Sequence, residues 1–186
     1  MDMRKSGNLW LIMIVALILT LVMAIAGCGK QQSGAGSGSE QSAQSALEHV
    51  LSCTVQEAAD FETASEEVKK AVETGNETGL VSVDGLENYF QGRFGDDLTE
   101  ECMNRMMADR TIAVSIKLAE QYQSDILAED IQLTKRSGDE NMYDFEAKLV
   151  TAADSKQIAS VTGVVTMEES QAVWKISNLT VKVTES

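Results

Sequence analysis

The apolar and polar positions of this chain change period twice. An apolar run of 18 residues, Leu9 to Ala26, is interrupted only by Thr20. Beyond a stretch of small and polar residues, Ala43, Ala46, Leu47, Val50 and Leu51 recur at three- and four-residue spacing, which predicts a helix from about Ser42 with one buried face. The pattern breaks at Ser52-Cys53-Thr54. Thr54 and Glu57 have the spacing of a capping box and start a second helix that buries Ala58, Phe61 and Ala64. Val68, Ala71 and Val72 extend its face until Gly75-Asn76-Glu77-Thr78-Gly79 ends it. Leu86, Tyr89, Phe90 and Phe94 mark another helical face within Ser82–Gly95. Thr99 then opens a helix over Glu100–Asp109, with Met103, Met106 and Met107 on its buried side.

Thr111 to Tyr122 carries two signals. Ile112, Val114, Ile116 and Leu118 alternate strictly, as in a strand, whereas Lys117 to Gln123 is good helix material; the alternation alone favours a strand. From Ile126 the period is two. Leu127, Ile131 and Leu133 share one face, Ser137-Gly138-Asp139-Glu140 turns, and Tyr143, Phe145, Ala147 and Leu149 form the next face. A third strand over 158–167 is apolar at Ala159, Val161, Val165 and Met167, and Gly163 within it suggests a bulge or bend. After a turn at Glu168–Gln171, Trp174 and Ile176 lie on one parity and Leu179, Val181 and Val183 on the other. That switch requires a bulge near Ser177-Asn178, because a one-residue slip exchanges the two faces. Helices first and a meander last predict an α+β fold, N-terminal helices on a curved antiparallel sheet of four or five strands.

The leading apolar run changes this picture. Arg4 and Lys5 precede it and small residues end it, the three-part layout of an export signal, yet it is also long enough to approach a membrane span. It therefore reads either as a retained helix with its positive end in the cytoplasm or as a cleaved segment. Its last four residues, Ile25-Ala26-Gly27-Cys28, resemble the lipobox of bacterial lipoproteins. The resemblance implies that Cys28 carries a diacylglycerol thioether and becomes the mature N-terminus, with membrane lipid as its first partner. One short acyl chain holds a protein only reversibly, whereas two keep it on the membrane. The implied organisation is 1–27 signal peptide, 28–41 lipidated cysteine and flexible linker, and 42–186 folded domain. A Gly/Ser/Gln tether of that length reaches about 20 Å. The implied location is the cell membrane, lipid-anchored and facing away from the cytoplasm.

Residues 1–27 hold only Asp2, Arg4 and Lys5 among the charged types, so the remainder carries 13 basic against 28 acidic side chains. Such a surface repels nucleic acid and anionic lipid, and neither is expected as a partner. With Cys28 acylated, Cys53 and Cys102 are the only remaining pair; an oxidising exterior permits a disulfide between them, and two buried free thiols are the alternative. His49 is the single histidine and sits at a partly exposed helix position. Three methionines without other soft ligands are core rather than a copper site, and no metal or cofactor is expected. Paired carboxylates such as Glu66-Glu67 and Glu100-Glu101 read as solvated faces.

The strand patterns Tyr143-Asp144-Phe145-Glu146 and Val173-Trp174-Lys175-Ile176, following the helical lead-in, resemble the nuclear-transport-factor-2-like superfamily over roughly Ala43 to Val183. The resemblance implies a sheet closing like a cone over its helices, and a helix in the stretch after Asn104-Arg105. Enzymes of that superfamily place a carboxylate or tyrosine inside the cone, where an apolar wall shifts its pKa. Here Tyr143 is the only polar candidate on the inward parity, which makes it the candidate pocket residue. No catalytic residue is assigned. The expectation is a non-enzymatic binding or accessory module of an envelope-associated assembly, with a protein partner; the alternative is a small apolar ligand, or isomerase or hydrolase chemistry, inside the cone.

Overall fold

The computed structural model describes residues 38–73 and 80–185. The apolar run, Cys28 and the helix stop at Gly75–Gly79 lie outside them. Five helices pack on a four-stranded antiparallel sheet: α1 (Gly38–Leu51), α2 (Val55–Glu73), α3 (Leu80–Phe94), α4 (Glu100–Ala108), α5 (Val114–Tyr122), then β1 (Ile126–Lys135), β2 (Met142–Thr151), β3 (Gln157–Ser170) and β4 (Val173–Glu185). The sheet is a plain meander, β1-β2-β3-β4.

The expected caps form. Thr54 N donates to Glu57 Oε2 at 2.6 Å while Glu57 N donates to Thr54 Oγ1 at 3.2 Å, the reciprocal pair of a capping box. Thr99 Oγ1 accepts from Cys102 N and starts α4. Helix α1 begins at Gly38, so residues 38–41 belong to it and not to the linker expected to run through Gln41. Glycine disfavours a helix interior by about 1 kcal/mol, but Ser39 is buried with its hydroxyl 2.8 Å from that of Tyr143, and Glu40 complements the helix dipole. Tertiary contact outweighs composition there.

Residues 111–122 are not a strand. Thr111–Ala113 form a 3-10 turn that leads into α5. Ile112, Ile116 and Ala119 are buried at spacings of four and three, a helical stripe, whereas Val114, on the strand parity, is only half-buried. Residues two apart on a helix point about 200° apart, so the apolar alternation arises because α5 is buried on more than one side, Leu118 as well as Ile116.

On the sheet, Tyr143, Phe145, Ala147 and Leu149 of β2 and Ala159, Val161, Val165 and Met167 of β3 all point into the core. In β1 the expected face is corrected. A bulge between Glu129 and Gln132, with Asp130 at φ 53°, exchanges parity, so Ile126 and Ala128 are buried before it, Ile131 and Leu133 face the core after it, and Leu127 is 40% exposed. The bulge required in β4 is present: Thr166 pairs with Asn178 and Met167 with Ile176, leaving Ser177 as the extra residue. Gly163, by contrast, is no bulge, since it pairs in register with Phe145 and Val181. Its reason for being glycine is close approach, taken up in the Discussion.

Strand β3 runs on to Ser170, so the hairpin turn is two residues, Gln171 and Ala172, at φ 54° and 64°. Positive φ at both central positions matches the twist of the flanking strands but strains residues with a Cβ. Ala172→Gly is expected to stabilise the fold by about 1 kcal/mol, seen as a higher midpoint in guanidinium unfolding; an unchanged or lower midpoint contradicts the turn geometry.

Two of the helix–helix linkers, α1–α2 and α3–α4, cover the two sheet edges. Cys53 exchanges backbone hydrogen bonds with Ile126 of β1, at 2.9 and 2.7 Å. Leu98 forms a parallel bridge to Ile176 of β4, where Ile176 N donates to Asp97 O and Thr99 N donates to Ile176 O. Edge groups that could template pairing with another chain are thereby used in part.

Candidate functional site

Tyr143 is fully buried on the inner face of β2, hydrogen-bonded to Ser39, and lines none of the grooves found among the described residues. It belongs to one core with Phe145, Leu149, Val161, Val165 and Ile176, and Val165 is its cross-strand partner on β3, while α1 packs against the sheet. The inner face of the sheet is thus filled with side chains, and Tyr143 acts there as core with a satisfied hydroxyl, not as a pocket wall.

His49, in the last turn of α1, places Nδ1 2.5 Å from Asp97 Oδ2, with its ring 6.0 Å from that of Phe94. The pair ties α1 to the α3–α4 linker. Among the described residues no hydroxyl or thiol hydrogen-bonds to His49, so the two partners of a proton relay are present without a nucleophile.

Cys53 and Cys102 are both free and buried, so the disulfide that the sequence allowed is not formed. Different surroundings hold them: Cys53 sits in the α1–α2 linker against β1, and Cys102 in α4 beside Leu179 of β4. Burial pushes the Cys102 thiol up to about 11 and raises that of Cys53 as well, the Arg93 guanidinium offsetting part of the latter. Burial thus disfavours the thiolate, the form in which a cysteine acts as nucleophile or metal ligand.

The densest polar cluster centres on Arg93 of α3, whose side chain is 5% exposed. Its Nη2 donates to Ser52 O at 2.5 Å, its Nη1 donates to Cys53 Sγ at 3.2 Å and to Tyr89 Oη at 3.3 Å, its Nε faces Glu57 Oε1 at 3.5 Å, and its guanidinium lies 4.7 Å from the centre of the Phe94 ring. Tyr89 in turn donates to Glu57 O at 2.8 Å. One planar fork thus joins α3, the α1–α2 linker and the first turn of α2. Sequence gave no sign of it, because its members are 41 residues apart at the Ser52 contact and 40 at Cys53.

Two of the surface grooves have the larger volumes among those formed by the described residues. One, of about 1050 Å³, lies between the α3–α4 linker, α4 and the β3–β4 hairpin, lined by Asp96, Glu100, Glu101, Glu168 and Lys175. Lys175 Nζ donates to Gly95 O there. The other, of about 690 Å³, lies between α2, α3 and the α4–α5 junction, with Phe61, Phe90 and Ile112 in its floor. Among the described residues no group of three histidine, cysteine or carboxylate side chains is placed to hold a metal, and no helix is long and apolar enough to cross a membrane. No protein-family model, curated protein or solved structure matches the chain.

Proposed function

We propose that this chain is a bacterial lipoprotein: a binding module moored outside the cytoplasm by an acylated Cys28, serving as an accessory to an envelope-associated assembly. The observation that carries the reading is Ile25-Ala26-Gly27-Cys28 at the end of an 18-residue apolar run preceded by Arg4 and Lys5. The acidic balance of the rest suits an outward-facing, well-solvated body.

Binding is favoured over catalysis because the reactive side chains have structural employment. Tyr143 is hydrogen-bonded in the core, His49 is engaged by Asp97, and both thiols are buried, which disfavours their thiolates. The helices-then-meander order supports the nuclear-transport-factor-2-like resemblance, and the filled inner face of the sheet favours a partner on the outer surfaces over a ligand within a cone.

The test is growth with a clickable palmitate analogue. The wild-type protein should take up label and lose its first 27 residues, while Cys28→Ala should remain an unlabelled, full-length precursor. A Cys28→Ala protein that is still cut and still retained on the membrane would overturn the anchor.

A further inference from the structure

The basic side chains of this domain are few, and most of those on the helices are paired. Lys70 with Glu66, Arg93 with Glu57 and Arg105 with Glu101 form ion pairs on the helices, as do Arg136 with Asp144 and Lys148 with Asp130 on the sheet. Lys135, Lys156 and Lys182 are scattered over β1, the β2–β3 turn and β4. Lys69, Arg110 and Lys117 are different. They come from α2, from the left-handed turn after α4 and from α5, all three are exposed, none is in an ion pair among the described residues, and all three line the 690 Å³ groove.

The floor of that groove is apolar. Phe90 and Ile112 lie within the core beneath it, and Phe61, Leu86 and Met107 are half-buried around it. Glu62 and Glu120 also reach the rim, leaving one net positive charge in a domain that is otherwise strongly acidic. The volume falls within the range of roughly 300–1000 Å³ typical of small-molecule sites.

An apolar trough rimmed by unpaired cations selects a ligand with two matching parts. We propose that this groove binds a single-chain amphiphilic anion, an aliphatic tail ending in a carboxylate or phosphate, with the tail on Phe61, Phe90 and Ile112 and the head among Lys69, Arg110 and Lys117. Burial of the tail supplies the affinity and the three cations supply the sign preference. A cationic amphiphile of the same length would meet uncompensated like charge, and a short anion would leave the floor wet. The proposal does not rest on acylation of Cys28.

The test is native mass spectrometry of the full chain released from a neutral maltoside detergent, with dodecanoate, dodecyl phosphate, dodecylamine or acetate added. A single adduct with dodecanoate or dodecyl phosphate, and none with dodecylamine or acetate, is the expected result; the stronger of the two anions names the head group. The double variant Lys69→Glu/Lys117→Glu should lose binding about tenfold or more, while Lys182→Glu on the sheet should bind as wild type. Circular dichroism confirms that both variants are folded, as expected for exposed positions. Equal adducts with dodecylamine, or undiminished dodecanoate binding by the double variant, would overturn the proposal. So would binding of an acidic peptide without any dodecanoate adduct.

Discussion

Gly163→Ala is expected to destabilise the domain by about 3 kcal/mol, the upper end of overpacking costs. A Cβ at this position would lie 1.9 Å from Thr180 O and 2.7 Å from Phe145 Cε1. The ring of Phe145 can give, but Thr180 O is backbone of β4, held beside Gly163 by the β3–β4 ladder and by the Val164 N to Thr180 Oγ1 hydrogen bond at 3.2 Å. Relief therefore means separating two long strands over their middle, where Val161 and Val165 are fully buried. For a domain of this size the change corresponds to a fall of about 10 °C in melting temperature. Adding Phe145→Leu should restore only part of the loss, since the clash with Thr180 remains. Guanidinium unfolding of the single and double variants measures both. A loss under about 1 kcal/mol for Gly163→Ala alone would mean that the strands are not held this close.

Removing the guanidinium of Arg93 should be nearly as damaging. Arg93→Ala is expected to cost about 3 kcal/mol, the lower end for breaking a buried charged network, because the Ser52 carbonyl, Tyr89 hydroxyl and Glu57 carboxylate all lose a partner at once. Glu57 keeps its capping role through Oε2, so α2 itself should persist. Arg93→Lys retains the charge but not the fork and cannot reach all of these acceptors together, so it should recover no more than about half of the loss. The thiol of Cys53 supplies an independent readout, for it lies 3.2 Å from Nη1. In Arg93→Ala the α1–α2 linker should open more often, and Cys53 should react faster with a thiol reagent than Cys102 does. Wild-type stability in Arg93→Ala, or equal reactivity of the two thiols, would show that the cluster is incidental.

Much of this fold was legible because its signals are local. A capping box needs only Thr54 and Glu57, three positions apart, and the bulge at Ser177 follows from the parity of Ile176 against Leu179 within one strand. Where local signals misled, a contact distant in sequence had decided the matter. Gly38–Gln41 reads as linker by composition and is helix because Ser39 meets Tyr143, 104 residues away. The bulge in β1 moved Leu127 outward, and neither Gly nor Pro marks it; Asp130 adopts the positive φ and its carboxylate meets Lys148 at 2.7 Å across the ladder.

The candidate sites divide in the same way. Cys28, the proposed anchor, stands out from the chain alone, since the apolar run, small residues and cysteine are contiguous and are read as a linear string. The groove of Lys69, Arg110 and Lys117 has no linear signature, because each residue belongs to a different element and each looks like an ordinary solvated charge.

By itself, then, the sequence determined the α+β order, the caps and the inward faces of β2 and β3, all of which depend on neighbours within a few positions. Tertiary structure alone decided that 111–122 is helical, that the inner sheet face is closed, that Arg93 pins three segments and that three unpaired cations share one apolar groove. The physical reason is that hydrogen-bond caps and side-chain parity act along the backbone, whereas burial and counter-ion pairing depend on which distant surfaces the folded chain brings together.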